Sequence, residues 1–299
     1  MSYHRRHFLR QSSALLGAAA LPVMLSNRAQ AAVGDKCRLG LVTYLWGKDL
    51  TLPELIEVCE QSGVLGLELR TTHRHGVERD LTPPQRREVK ARLADSPVTL
   101  VGMGSNERYD DRNPAKVKAA IQATKDFILL SQQVGGSGVK VKGDRFHDDV
   151  PHEQTLAQVG AALHELGDFG AEHGQEIRLE IHGGFSEIPI HAAVIKAANH
   201  KNVRTCWNSN RQDLQGKGLR ANFNLVKDYF GQTAHIRALQ NKDYPFAELV
   251  KLFVQMNYDG WLLLEARGDV KPHEVAKRLS EQKSIFDQYV GGAQQKLAR

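Results

Sequence analysis

Cysteine is scarce. Cys37, Cys59 and Cys206 are the only three in 299 residues, an odd number without the paired spacing of a zinc site or a disulfide framework. Cys59 and Cys206 read as small buried hydrophobes. No G-x-G-x-x-G turn follows the first apolar run, where the chain reads TYLWGKDLT. That argues against the glycine-rich phosphate turn of an open dinucleotide-binding sheet. Acidic residues are missing from the first 31 positions, which hold Arg5, Arg6, Arg10 and Arg28. Without those four charges the formal net charge of +6 falls to +2. No basic stripe interleaved with aromatics remains, so a nucleic-acid partner is not expected. Long apolar runs are also missing: residues 13–25, SALLGAAALPVML, are too short to cross a hydrocarbon core of ~30 Å.

That short run sits in a recognisable setting. HRRHFLR (4–10) precedes it and Ala29-Gln30-Ala31 follows it. A positive segment, an apolar segment and an A-x-A site make a signal peptide. The Arg5-Arg6 pair points to the twin-arginine export machinery as a partner. Cleavage near Ala31, a periplasmic location and no membrane span after cleavage are the expectations. Residues 1–31 are therefore set apart from a domain over 32–299, a length that suits a barrel of ~250 residues.

In that domain short runs rich in Val, Ile and Leu alternate with stretches of helical period. Strands are predicted at 39–46, 64–70, 98–104, 138–144, 177–183, 203–209, 234–240 and 260–266. Helix starts are marked by Thr51 with Glu54, by Thr82-Pro83 with Gln85, and by Asn113-Pro114. Gly63, Gly135-Gly136, Gly174 and Gly231 read as stops. Eight units without a linker predict one closed (β/α)8 TIM barrel.

The strand ends carry more charge than buried strands tolerate unpaired. Glu68 and Arg70, Lys140 and Lys142, Glu180 and His182, and His235 and Arg237 are each two apart, so each pair shares a strand face. Cys206 and Asn208 repeat the spacing, as do Leu263 and Glu265. Barrel enzymes place catalytic groups at strand C-termini, and these residues predict one converging site. The loop ELRTTHRHGVE (68–78) adds His73 and His75, which could bind sugar hydroxyls or a metal.

The segments ELRTTHRHGVE (68–78), GVKVKGD (138–144), RLEIHGG (178–184), CWNSN (206–210) and DYPFAELVKLFVQMNYDGWLLLEARG (243–268) resemble the xylose isomerase-like barrels, the sugar phosphate isomerase/epimerase family. The nearest likeness is to exported members with twin-arginine signals. The resemblance implies a divalent metal on Glu, Asp, His and Glu at the ends of the fifth to eighth strands. Glu180 and Glu265 match, whereas Asn208 stands for the Asp and Arg237 for the His. An arginine stays protonated and cannot ligate. A site working without metal is therefore expected. If a divalent ion (Mn, Mg, Zn or Co) is held, its ligands would be Glu180, His182, Asn208 and Glu265.

The function implied is proton transfer next to a carbonyl in a carbohydrate or carbohydrate derivative. Glu180, Glu265, Arg237 and Lys142 are the expected catalytic residues. Lys140, His182, Asn208, Arg70, His73 and His75 are the expected substrate contacts. The alternatives are a lyase acting on an oxidised glycoside and a non-catalytic carbohydrate-binding barrel.

Overall fold

The computed structural model describes Gly34 and residues 36–297. The segment 1–31 lies outside the described residues, so its reading as a signal stands as an expectation.

Eight parallel strands close into a barrel in sequence order. They are β1 Arg38–Val42, β2 Gly66–Arg70, β3 Thr99–Arg108, β4 Gly138–Lys142, β5 Glu176–Glu180, β6 Val203–Asn208, β7 Phe230–Ile236 and β8 Trp261–Leu264. Closure is made by β1 on β8, with Arg38 opposite Trp261. The helices α1 Leu52–Ser62, α2 Pro83–Ala94, α3 Pro114–Val134, α4 His152–Glu172, α5 Ile188–Ala198, α6 Leu219–Val226, α7 Phe246–Gln255 and α8 Val275–Leu297 alternate with the strands. Among the described residues no helix is long and apolar enough to cross a membrane.

Local sequence explains the helix ends. Thr51 N–H donates to Glu54 Oε2 at 2.7 Å, and Thr82 N–H to Gln85 Oε1 at 2.8 Å, which closes the two capping boxes. Gly63 and Gly135 end α1 and α3 at φ of 70° and 94°, a region where a side chain is disfavoured. The apolar stripes face the sheet: Val159, Leu163 and Leu166 of α4 and Phe246, Leu249, Val250 and Phe253 of α7 are buried.

Seven strands start within two residues of the predicted positions, although β1 stops four residues short of 46 and β3 runs four past 104. β7 begins four residues earlier than 234, and Gly231 lies inside it rather than stopping a helix. α6 instead ends at Val226 and leads into a 3-10 turn over Lys227–Tyr229. The Tyr258 hydroxyl then donates to Gly231 O at 2.7 Å, and Gln232 N–H donates to Glu176 Oε2 at 2.9 Å. The strand is fixed by tertiary partners that no periodicity reveals.

The lumen is layered. Val42, Val101, Trp261 and Leu263 form an apolar plug separate from the main core between sheet and helices. A Cβ on Gly66 would lie 2.2 Å from the Trp261 ring, so only glycine lets that indole fill the floor. Beside the plug, Arg178 spans the interior. It donates from Nε to Glu176 Oε2 at 2.9 Å, from Nη1 to Val101 O at 2.9 Å and from Nη2 to Ser137 Oγ at 2.8 Å. The next inward residue of β5 is Glu180, at the strand's C-terminal end.

Candidate active site

Four wholly buried ionisable side chains meet at that level: Glu68, Lys140, Glu180 and His235. Lys140 Nζ lies 2.9 Å from Glu180 Oε2, and His235 Nε2 lies 3.1 Å from Glu68 Oε1. Asn208 Nδ2 donates to Glu180 Oε1 at 2.6 Å and reaches Glu265 Oε2 at 3.4 Å, so one amide bridges two carboxylates. His235 Nδ1 has no hydrogen-bond partner and stands 3.5 Å from Glu180 Oε1 and 3.9 Å from Glu265 Oε2.

The charges set one another. Burial pushes the Glu180 carboxyl up, but Lys140 and then His235 outweigh it and hold it well below the usual range. Burial opposes charge on His235, yet Cys206, Glu68 and Glu180 raise it well above an ordinary imidazole.

Above this layer a cavity of about 160 Å³ is lined by Tyr44, Arg70, Lys142, His182, Asn208, Asn210, Arg237, Glu265 and Arg267. Lys142 stands at the end of β4, where burial and then the Lys140 charge bring its ammonium down to about 8. His182 follows β5 and is oriented by Asp144, Nδ1 to Oδ1 at 2.5 Å. Arg108 also pairs with Asp144. Burial raises the Asp144 carboxyl, but His182 and Arg108 outweigh it and leave it at about 2.

Of the residues expected from sequence, Lys142, His182, Asn208, Arg70, Arg237 and Glu265 line the cavity. Glu180 lies beneath it. Arg70 packs over the Tyr44 ring at 4.9 Å and donates to Asn106 Oδ1 at 2.9 Å. Arg237 sits one residue past β7. It does not fill the gap between the two glutamates; its Nη2 reaches Asn210 Oδ1 at 3.4 Å. Burial and then Arg267 lower its affinity for the proton.

Three expectations need correction. Lys140 is not a substrate contact, because its side chain is fully buried against Glu180 and its Nζ donates to Ser105 O at 3.3 Å. His75 is not free to bind. Its Nδ1 accepts from Val77 N–H at 3.0 Å, so its Nε2 carries the proton and donates to Arg70 O at 2.7 Å. His73 holds the Thr43 hydroxyl at 3.2 Å and is not among the residues lining the cavity. Burial and then His75 bring the His73 imidazole down to about 4.

The metal-ligand reading also changes. Among the described residues, the group that offers ligand atoms within 4.8 Å of one another is Glu180, His235 and Glu265. His182 is turned to Asp144, and His235 takes the place expected of it. The fit is supported by the unpartnered His235 Nδ1, with the Glu68 carboxylate on the other ring nitrogen. A carboxylate behind a histidine is the usual support for a metal ligand.

Sequence reasoning missed Asp144, Asn210, Tyr44 and Arg267. Arg267 carried a usable signal, since it follows Glu265 at the same two-residue spacing as the other pairs. Asp144 carried none, because its partners come from β3 and the segment after β5.

Solved structures show the same architecture. An L-ribulose 3-epimerase superposes with a TM-score of 0.73 at 13% identity, covering 88% of this chain and 97% of that one. A 3-keto-D-glucoside 4-epimerase from E. coli gives 0.70 at 15% identity, covering 83% and 100%. A protein described as IOLI, with a bound zinc atom, gives 0.66 at 13% identity, covering 87% and 98%. At such identities these likenesses establish the fold. No curated protein matches the sequence. Residues 56–283 match the profile of the xylose isomerase-like TIM barrels, and the chain belongs to that family.

Proposed function

We propose that this protein is a sugar isomerase/epimerase-like enzyme that moves a proton at the carbon beside a carbonyl. The observation that carries this reading is the Asn208 bridge. One amide holds Glu265, which faces the cavity, and Glu180, which lies beneath it.

Each residue has a task. Glu265 is the base, because it is the carboxylate among the cavity-lining residues. Glu180 is kept ionised by Lys140 and fixes Asn208. Lys142 faces the developing oxyanion as an ammonium, and Arg237 adds positive charge at the rim. His182, oriented by Asp144, lines the same cavity and binds the substrate. Arg70 and Asn208 bind hydroxyls. A divalent cation fits Glu180, His235 and Glu265, and when bound it supplies Lewis-acid polarisation of the carbonyl. Lys140 supplies part of that positive charge by itself.

The test is solvent-deuterium exchange into a panel of ketoses, followed by mass spectrometry. Incorporation without change of heavy-atom mass supports isomerisation or epimerisation, and cleavage of a 3-keto glycoside indicates a lyase. Full exchange by a folded Glu265→Gln variant would refute the assignment of the base.

We further propose export by the twin-arginine route with cleavage near Ala31, on the strength of the Arg5-Arg6 pair, the apolar run and the Ala29-Gln30-Ala31 site. Retention of an Arg5→Lys, Arg6→Lys double variant in the cytoplasm would support it, and unimpaired export of that variant would oppose it.

A further inference from the structure

The inner cavity is small. Ligand pockets usually measure about 300–1,000 Å³, and this one has about 160 Å³. A second chamber of about 500 Å³ borders it and shares Asn210, Arg237 and Arg267 as walls. Its charge is lopsided: Arg211, Arg237 and Arg267 stand against a single carboxylate, Asp243. None of the three guanidinium groups belongs to any ion pair found among the described residues. By contrast, the exposed Arg112, Arg220 and Arg278 elsewhere each have a carboxylate within 4 Å.

The elements that bring them together come from three strand ends. Arg211 opens the 3-10 turn Arg211–Leu214 after β6, Arg237 follows β7, and Arg267 follows β8. Buried Asp213 braces this wall by accepting from the Tyr244 hydroxyl at 2.7 Å and from Asn210 N–H at 2.8 Å. Arg237 feels Glu265 and Asp213 from a distance, but three like charges with no carboxylate at ion-pair distance still repel one another, and an anion relieves that repulsion. Arginine's planar fork also suits the two oxygens of a carboxylate or phosphate.

We propose that the outer chamber is an oxyanion subsite, seating a carboxylate or phosphate carried by the part of the substrate distant from the reacting carbon. This rests on the proton-transfer reading for the inner cavity. The substrate is then an acidic sugar or an acidic glycoside whose neutral, carbonyl-bearing end lies over Glu265.

The test is calorimetric binding of D-glucuronate, D-glucose 6-phosphate and D-glucose to the full mature chain at low salt. At least tenfold tighter binding of one acidic sugar over glucose is expected, and which one it is separates a carboxylate from a phosphate. Arg211→Gln should remove most of that preference while leaving deuterium exchange into a neutral ketose unchanged, and Arg267→Gln should weaken it too. Equal affinities for all three sugars, or a preference that survives both substitutions, would overturn the proposal. Glu265→Gln separates the two readings. Loss of exchange with the acidic preference intact supports both. If exchange persists while the preference is intact, the base assignment fails and the subsite stands.

Discussion

Two charged layers share the lumen of this barrel, one on each side of the middle of β5, and they are finished differently. In the lower layer every nitrogen of the Arg178 guanidinium has an oxygen at hydrogen-bond distance. In the upper layer Glu68 Oε2 and His235 Nδ1 are buried without a hydrogen bond, and Glu180 Oε2 has the Lys140 ammonium beside it at 2.9 Å. Buried polar atoms are almost always satisfied, so such a cluster of exceptions needs a reason. The lower layer is architecture. The upper one keeps spare bonding capacity for something that enters from the cavity.

The sharpest way to break the contrast is to substitute one member of each layer. Glu265→Gln should lower turnover by about 10²–10⁴-fold, the range for loss of a general base, with little change in the unfolding midpoint. Arg178→Met should do the reverse. It takes the cation from Glu176, which keeps the Gln232 N–H, and removes donors from Ser137 and Val101; this should cost about 1.5–3 kcal/mol of stability, the range for hydrogen bonds to charged groups, with turnover per folded molecule retained. Urea melts and steady-state rates read both. A comparable loss of turnover in the two variants would erase the distinction.

Next in size is the effect of metal. A divalent ion at a hundred times its dissociation constant should stabilise the protein by about 2.7 kcal/mol, visible as a rise in melting temperature that His235→Asn abolishes. The rise should grow with pH, because His235 is held protonated in the free protein and must release its Nδ1 proton to ligate.

Two smaller effects sharpen the picture. Burial raises the Asp213 carboxyl to about 7, with Tyr244 and Asn210 partly offsetting it. Its folded value is then above the ~3.9 of an unfolded Asp. Between these values the folded chain binds the extra proton, so stability falls as pH rises from about 4 to 7 and is level above. Asp213→Asn keeps an acceptor for both donors and should flatten that slope in denaturant titrations. Lys142 acts as a cation with its ammonium brought down to about 8, so turnover should decline as pH climbs through that value. Lys142→Arg should shift the decline upward.

The barrel itself was legible because alternating periods of two and 3.6 residues are local signals, and seven of the eight strands start within two residues of where those periods put them. β7 was displaced because its start is set by Glu176 and Tyr258, which are remote in sequence. Much of the site was legible by the same logic: residues two apart near strand ends point inward together. That rule names the face but not the depth. It could not tell that Lys140 stops at Glu180 while Lys142 reaches the cavity. Nor could it tell that His235, rather than His182, would stand between two glutamates. Those outcomes depend on which oxygen each side chain meets across the barrel, and pairings such as Glu68 with His235 span 167 residues.

Trp261 has a kinetic corollary. Its indole lies against Gly66 with the Arg38 guanidinium 4.4 Å from the ring centre, and this stops up the tube from below. Nothing can thread through, so arrival and departure use the same doorway. On the proposed reading, a molecule that has reacted must back out before its successor goes in, and product will compete directly with substrate for the vestibule.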